Sequence, residues 1–202
     1  MHVAVLGASG RAGSEITKEL AARGHQVRAI ARQPDAIPKG ESIQPVAGDA
    51  SDARALSGLI RGSDAVISAL HFDVPAETLL CALKDAGVGR LLVTGGAASL
   101  EVAPGKRLFD TPDFPAEWRE IAADGITFLE ALRHESQMDW TFFSPAAFIF
   151  EGPRTGTFRL GGDQLVVDET GDSKISFADY AIAMVDELEE HRHSRRRFTA
   201  AY

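Results

Sequence analysis

Over its first half the chain alternates short apolar runs with amphipathic stretches. Residues 2–6, 26–31, 43–47, 65–70 and 90–94 are mostly Val, Ile, Leu and Ala, with turn-forming or charged residues between them, which predicts five strands. Between the first two, Ala12, Ile16 and Leu20 recur every four residues and Gly24 follows as a natural helix stop. Further helices are predicted at 53–60 and 75–86. A long one at 115–135 carries Trp118, Ile121, Phe128 and Leu132 and leads into a sixth strand at 140–144. Strand, helix and strand in series predict an α/β protein with a doubly wound, mostly parallel sheet flanked by helices.

Beyond residue 150 the pattern changes. Residues 158–160 and 165–167 flank Gly161-Gly162-Asp163-Gln164, which predicts a hairpin. Ser176, with Asp179 three residues on, resembles a capping box in front of a helix with Ala178, Ala181, Ile182, Val185 and Leu188 on one face. A last strand is expected at 197–200. Residues 101–113 have no period and contain Pro104, Gly105 and Pro112, so they read as a long loop of the kind that is often functional. No repeat or linker divides the chain, and one domain over 1–202 is expected, with a small substrate lobe from about 101–113 and 151–176.

The 202 residues carry 21 basic and 29 acidic side chains, a formal net charge of −8. Such an excess argues against nucleic acid and anionic membrane as general partners. Cys81 is the only cysteine and cannot form an internal disulfide, and no apolar run suggests a membrane span or signal core, so a cytoplasmic setting is the default. Any anionic ligand needs a local positive island.

Gly7-Ala8-Ser9-Gly10-Arg11-Ala12-Gly13 supplies one, lying directly between the first strand and the first helix. Glycines permit a tight turn and close backbone approach, and the free N–H groups of a helix start favour a pyrophosphate. The spacing is Gly-x-x-Gly-x-x-Gly, a relative of the dinucleotide fingerprint. Gly7, Ser9, Gly10, Arg11, Ala12 and Gly13 are therefore candidate cofactor-binding residues. Arg32 closes the second strand 19 positions beyond Gly13, where NAD-binding proteins place an acid, and no Asp or Glu lies between Gln26 and Gln33. This favours NADP(H) over NAD(H), with Arg11 and Arg32 near the 2′-phosphate. Gly48 and Asp49 follow the third strand and are placed at the adenine. Ala69, Leu70, Thr94, Gly95 and Gly96 end the fourth and fifth strands and should lie along the cofactor, because open α/β sheets bind ligands at their carboxyl ends.

These segments, with Val66-Ile67-Ser68-Ala69-Leu70, Thr94-Gly95-Gly96-Ala97-Ala98-Ser99-Leu100, Trp140-Thr141-Phe142-Phe143-Ser144-Pro145-Ala146, Arg154-Thr155-Gly156 and Arg159-Leu160-Gly161-Gly162-Asp163, resemble the atypical short-chain dehydrogenase/reductase superfamily. The branch they most resemble is that of the NADH-flavin reductases, related to biliverdin reductase B and NmrA-like proteins. The resemblance implies a Rossmann fold, an NAD(P)H cofactor and a planar acceptor such as a flavin, and adds Pro145 to the cofactor-binding residues.

One departure is plain: the superfamily's Tyr-x-x-x-Lys is missing, since Met184 stands four residues after Tyr180. Epimerase or dehydratase chemistry loses its acid/base pair, whereas hydride transfer to a flavin or quinone survives. The catalytic residues are unknown from sequence, with His71, Thr94 and Ser99 as weak candidates. His71, Phe148 and Phe150 are assigned to the substrate side, and Phe142 to the core. No metal motif is present. The cluster of His191, His193 and Arg195 to Arg197 reads as a complement to a helix C-terminus. The expected protein is an NAD(P)H-dependent reductase, monomeric or a homodimer. An NmrA-like NADP(H) sensor is the alternative.

Overall fold

A computed structural model describes all 202 residues. The first half runs β1 (His2–Leu6), α1 (Arg11–Ala22), β2 (Gln26–Ala31), β3 (Ile43–Ala47), α2 (Ala53–Ile60), β4 (Ala65–Ser68), α3 (Ala76–Ala86) and β5 (Arg90–Thr94). The second half holds β6 (Glu101–Ala103), β7 (Lys106–Arg107), α4 (Arg119–His134), β8 (Asp139–Ser144), β9 (Phe148–Phe150), β10 (Arg159–Gly161), β11 (Lys174–Ser176), α5 (Phe177–Glu190) and β12 (Arg196–Ala201). Eight strands form one sheet in the order β10-β12-β8-β5-β4-β1-β2-β3, parallel except where β10 meets β12.

Burial on both faces explains the near-continuous apolar strands. Val3 and Val5 of β1 point into the layer formed with α1 and α5, while Ala4 and Leu6 point into the layer with α2, α3 and α4. The chain winds outward from β1 to β3, then crosses back to β4. That reversal, between β1 and β4, is the switch point where such sheets open a crevice.

Several sequence expectations change here. The hairpin across residues 161–164 does not form: β10 pairs with β12, and Gln164 bridges to Glu101 instead. The loop at 101–113 contains the β6–β7 pair and a 3-10 turn at Leu108–Asp110. The helix expected over 115–135 begins only at Arg119, behind a separate 3-10 turn at Ala116–Trp118. Ser176 caps α5, its hydroxyl accepting from the Asp179 amide at 3.0 Å, but the Asp179 carboxylate does not complete the box. It accepts instead from the Thr155 and Gly156 amides and from the Tyr202 hydroxyl.

The basic cluster near the carboxyl terminus is dispersed into separate partnerships. His193 bonds Glu187, His191 pairs with Asp139, Arg195 donates to the Ser136 carbonyl, and Arg197 turns inward to Asp163. Under β8, the rings of Tyr180, Phe143, Phe198 and His193 form a continuous stack with centroid separations of 4.1, 4.1 and 4.4 Å. No helix is long and apolar enough to cross a membrane.

Candidate functional site

A cleft of about 660 Å³ lies at the carboxyl ends of the central strands. One end is made by backbone. Gly7 has φ +74° and its amide donates to the Ile30 carbonyl at 2.9 Å, so the chain turns sharply out of β1. A Cβ on Gly7 would stand 2.5 Å from the Ala69 carbonyl oxygen, and one on Gly13 would stand 2.2 Å from the Gly7 oxygen. Neither position admits a side chain. The first bond of α1's ladder runs from the Ser14 amide to the Gly10 carbonyl, which leaves the Arg11, Ala12 and Gly13 amides without an i−4 partner at the positive end of the helix. No acid lies in that turn. This is a cradle for a pyrophosphate, and its residues fit a dinucleotide cofactor.

The two arginines occupy different surroundings. Arg11 faces the cleft with its guanidinium 5.2 Å above the Phe177 ring, and Arg32 lies at the exposed end of β2. Neither forms an ion pair within the protein. Asp49 accepts from the Ser51 amide at 3.0 Å, which holds its carboxyl below the usual range, and the charge of nearby Arg32 adds to the effect. Gly48 has a packing reason of its own, because a Cβ there would meet Leu59 and Ile30 at 2.5 and 2.9 Å.

Of the residues expected from sequence, Gly10, Arg11, Ala12, Ala69, Leu70, His71, Thr94, Gly95, Gly96, Ser99, Pro145 and Phe148 line this one cleft. Phe150 does not: its ring stacks on Phe148 at 5.8 Å and meets Tyr202 edge-on. Phe142 is fully buried beneath Gly95, where a Cβ would stand 2.2 Å from its ring. Gly95 is thus a thin floor laid directly on an aromatic.

The walls contain residues that the sequence reading did not assign to a site. Phe72, Phe114, Trp118 and Ile121 line the cleft together with Phe148, and Trp118 and Phe148 are 59% and 60% exposed, so its mouth is open and largely apolar. Phe72 packs into α4 at Gly125, where a Cβ would come within 2.7 Å of the ring. One signal for this wall exists in the sequence: Trp118 and Ile121 lie at the start of a helix whose core is already satisfied by Phe128, Leu129 and Leu132.

The weak catalytic candidates separate on geometry. The Thr94 hydroxyl donates to the Ser68 carbonyl at 3.1 Å and so ties β5 to β4. His71 is exposed at the cleft and makes no hydrogen bond to the protein. Ser99 Oγ accepts from Arg197 Nη1 at 3.1 Å and donates to no protein group, which leaves its proton free. Arg197 is itself buried, paired with the exposed Asp163. Tyr180 touches the cleft but is 1% exposed. Its hydroxyl donates to the Phe143 carbonyl at 2.7 Å, and burial raises it well above the ordinary tyrosine range. It stays a neutral phenol anchoring β8.

A Rossmann sheet, a glycine cradle at its switch point and an adjoining cleft define an NAD(P)H-binding protein. The sequence pattern of the NAD(P)H-binding family matches residues 7–191, and the chain belongs to that family. The uncharacterized protein YwnB of Bacillus subtilis is 44% identical, over 98% of this chain and 97% of its own length. Among solved structures, a candidate epimerase from Bacteroides thetaiotaomicron is 41% identical with a TM-score of 0.93, covering 100% of this chain and 96% of that one. A candidate NADH-flavin reductase from Streptococcus pneumoniae is 37% identical with a TM-score of 0.88, covering 100% and 99%.

Proposed function

We propose that this protein is an NADP(H)-preferring reductase that passes a hydride to a planar acceptor, a flavin or quinone. The observation that carries the reading is the continuity of the cleft. The glycine cradle opens directly onto the Gly95-Gly96 floor and the apolar walls of Phe72, Phe114, Trp118 and Phe148. A flat, apolar slot beside a dinucleotide site suits a ring stacked face to face for hydride transfer.

When bound, NADPH supplies the hydride. An acceptor that takes up this hydride and one proton leaves as the two-electron-reduced form, with NADP⁺ as the other product. The chain's own residues hold the reactants and keep water away from the transferring face. The Ser99 hydroxyl, oriented by Arg197, is the polar donor available to charge developing on the acceptor. Arg32 and Arg11 offer charge to the 2′-phosphate, and the end of β2 carries no competing acid.

Epimerisation or dehydration is disfavoured, because Tyr180 is buried, hydrogen-bonded to backbone and followed by Met184 where a lysine would lower its pKa. The test is oxidation of NADPH followed by absorbance with a panel of flavins and quinones. Saturable turnover on planar acceptors is expected. Stoichiometric NADPH binding without turnover on any of them would replace this reading with that of an NADP(H) sensor. We place the protein in the cytoplasm, where that cofactor pool resides.

A further inference from the structure

The apolar cleft is not electrically neutral. Beside the neutral phenol of Tyr180, four side chains that can carry charge line it: Arg11, His71, Asp113 and Glu117. Arg11 sits at the phosphate loop, and His71 follows β4. Asp113 and Glu117 lie together on the segment that enters α4, beside Phe114 and Trp118 of the acceptor wall. Both are exposed, and neither has an ion-pair or hydrogen-bond partner through its carboxylate.

The cations in the neighbourhood are engaged elsewhere. Arg107 pairs with Asp110 at 2.9 Å, and the Arg119 guanidinium lies 4.7 Å over Phe109 and 5.9 Å from Phe114 without lining the cleft. The charge that lines the cleft on this wall is therefore negative, on a molecule that already carries −8. A phosphate ester brought to the open mouth would meet two solvent-exposed carboxylates, whose repulsion is felt most at low ionic strength.

We infer that Asp113 and Glu117 make the acceptor site selective for uncharged planar rings and turn away acceptors that bear a phosphate. The inference rests on the planar-acceptor reading above and narrows it. A free isoalloxazine or a quinone enters on apolar stacking alone. A flavin phosphate gains the same stacking but is opposed by the carboxylates, by roughly three- to tenfold in affinity at low salt.

The experiment is equilibrium binding of riboflavin and of flavin mononucleotide, by quenching of flavin fluorescence, to the full chain saturated with NADP⁺. Saturation removes the phosphate loop as a rival site for the ester. Riboflavin is expected to bind three- to tenfold more tightly, and the gap should close in about 1 M salt, where charges are screened within roughly 3 Å. In the double variant Asp113→Asn with Glu117→Gln, the mononucleotide alone should tighten and riboflavin should stay unchanged. Equal or tighter binding of the mononucleotide to the wild type at low salt would overturn the charge selection, as would a gap that persists in the double variant. Failure of both flavins to bind would instead overturn the assignment of a flavin as the acceptor on which the charge selection rests.

Discussion

The two ends of the cleft are built by different means. At the cofactor end the geometry belongs to the backbone: Gly7 and Gly13 approach carbonyls at distances no Cβ tolerates, and the helix start supplies the donors. At the acceptor end the geometry belongs to side chains that depend on other side chains. Arg197 holds Ser99, Asp163 holds Arg197, and Asp179 fixes the 155–156 backbone beside α5. The first kind of site has little freedom to vary. The second depends on individual side chains and is open to adjustment by single substitutions.

The largest expected effect breaks the cradle. Gly13→Ala should weaken NADPH binding at least about a hundredfold, since the new methyl must displace the Gly7 carbonyl, and it should cost about 1–3 kcal/mol of stability. Isothermal titration alongside urea unfolding separates the two losses. A variant that binds NADPH normally would show that the cradle tolerates side chains after all.

Next in size is the carboxylate that fixes the 155–156 backbone beside α5. Burial opposes the charge of Asp179, but hydrogen bonds from Thr155, Gly156 and Tyr202 together outweigh it and hold the carboxyl below its usual range. Asp179→Asn should therefore destabilise by about 2 kcal/mol at neutral pH. Because the folded-state value is depressed, the wild type's advantage is complete above about pH 3.9 and is lost as pH falls through the folded value. Unfolding midpoints of both proteins measured from neutral pH downward should converge in acid. Parallel curves would assign the stabilisation to something other than this carboxylate.

Smaller effects sharpen the contrast. Arg32→Ala should weaken NADPH binding about tenfold and NADH binding hardly at all, as expected for one charge-assisted bond to the 2′-phosphate. Equal losses for the two cofactors would remove Arg32 from that position. Ser99→Ala should lower turnover about two- to tenfold while NADPH affinity stays as in the wild type. A change in cofactor affinity would mean that the two ends of the cleft are not separable in this way.

The contrast also explains what could be read from sequence. Strands 2–6, 26–31 and 90–94 and the helix at 53–60 were legible to the residue because their apolar positions are buried in the core, so local pattern and tertiary environment agree; the edge strand 43–47, largely exposed, was bounded by its flanking polar and glycine residues. The glycine loop was legible because backbone constraint writes itself as glycine. The acceptor wall was not, because its partners are far apart in the chain: Gln164 with Glu101, Arg197 with Ser99, β9 with β11. Residues 165–167 look like a strand, yet a run of three apolar residues carries no information about which distant edge will claim it. Trp118 and Ile121 share a predicted helix with Phe128 and Leu132, but Trp118 belongs to the separate turn before α4 and Ile121 to its first turn, and both line the cleft instead of the core.

The central claim is that the backbone-built cradle and the side-chain-built wall hold two rings in one slot. A crystal structure of the protein with NADP⁺ and riboflavin measures this most directly. The account predicts the isoalloxazine ring over Gly95 and Gly96, between Phe148 and Trp118 and stacked on the nicotinamide. A flavin bound elsewhere, or a nicotinamide turned out of the cleft toward solvent, would contradict it.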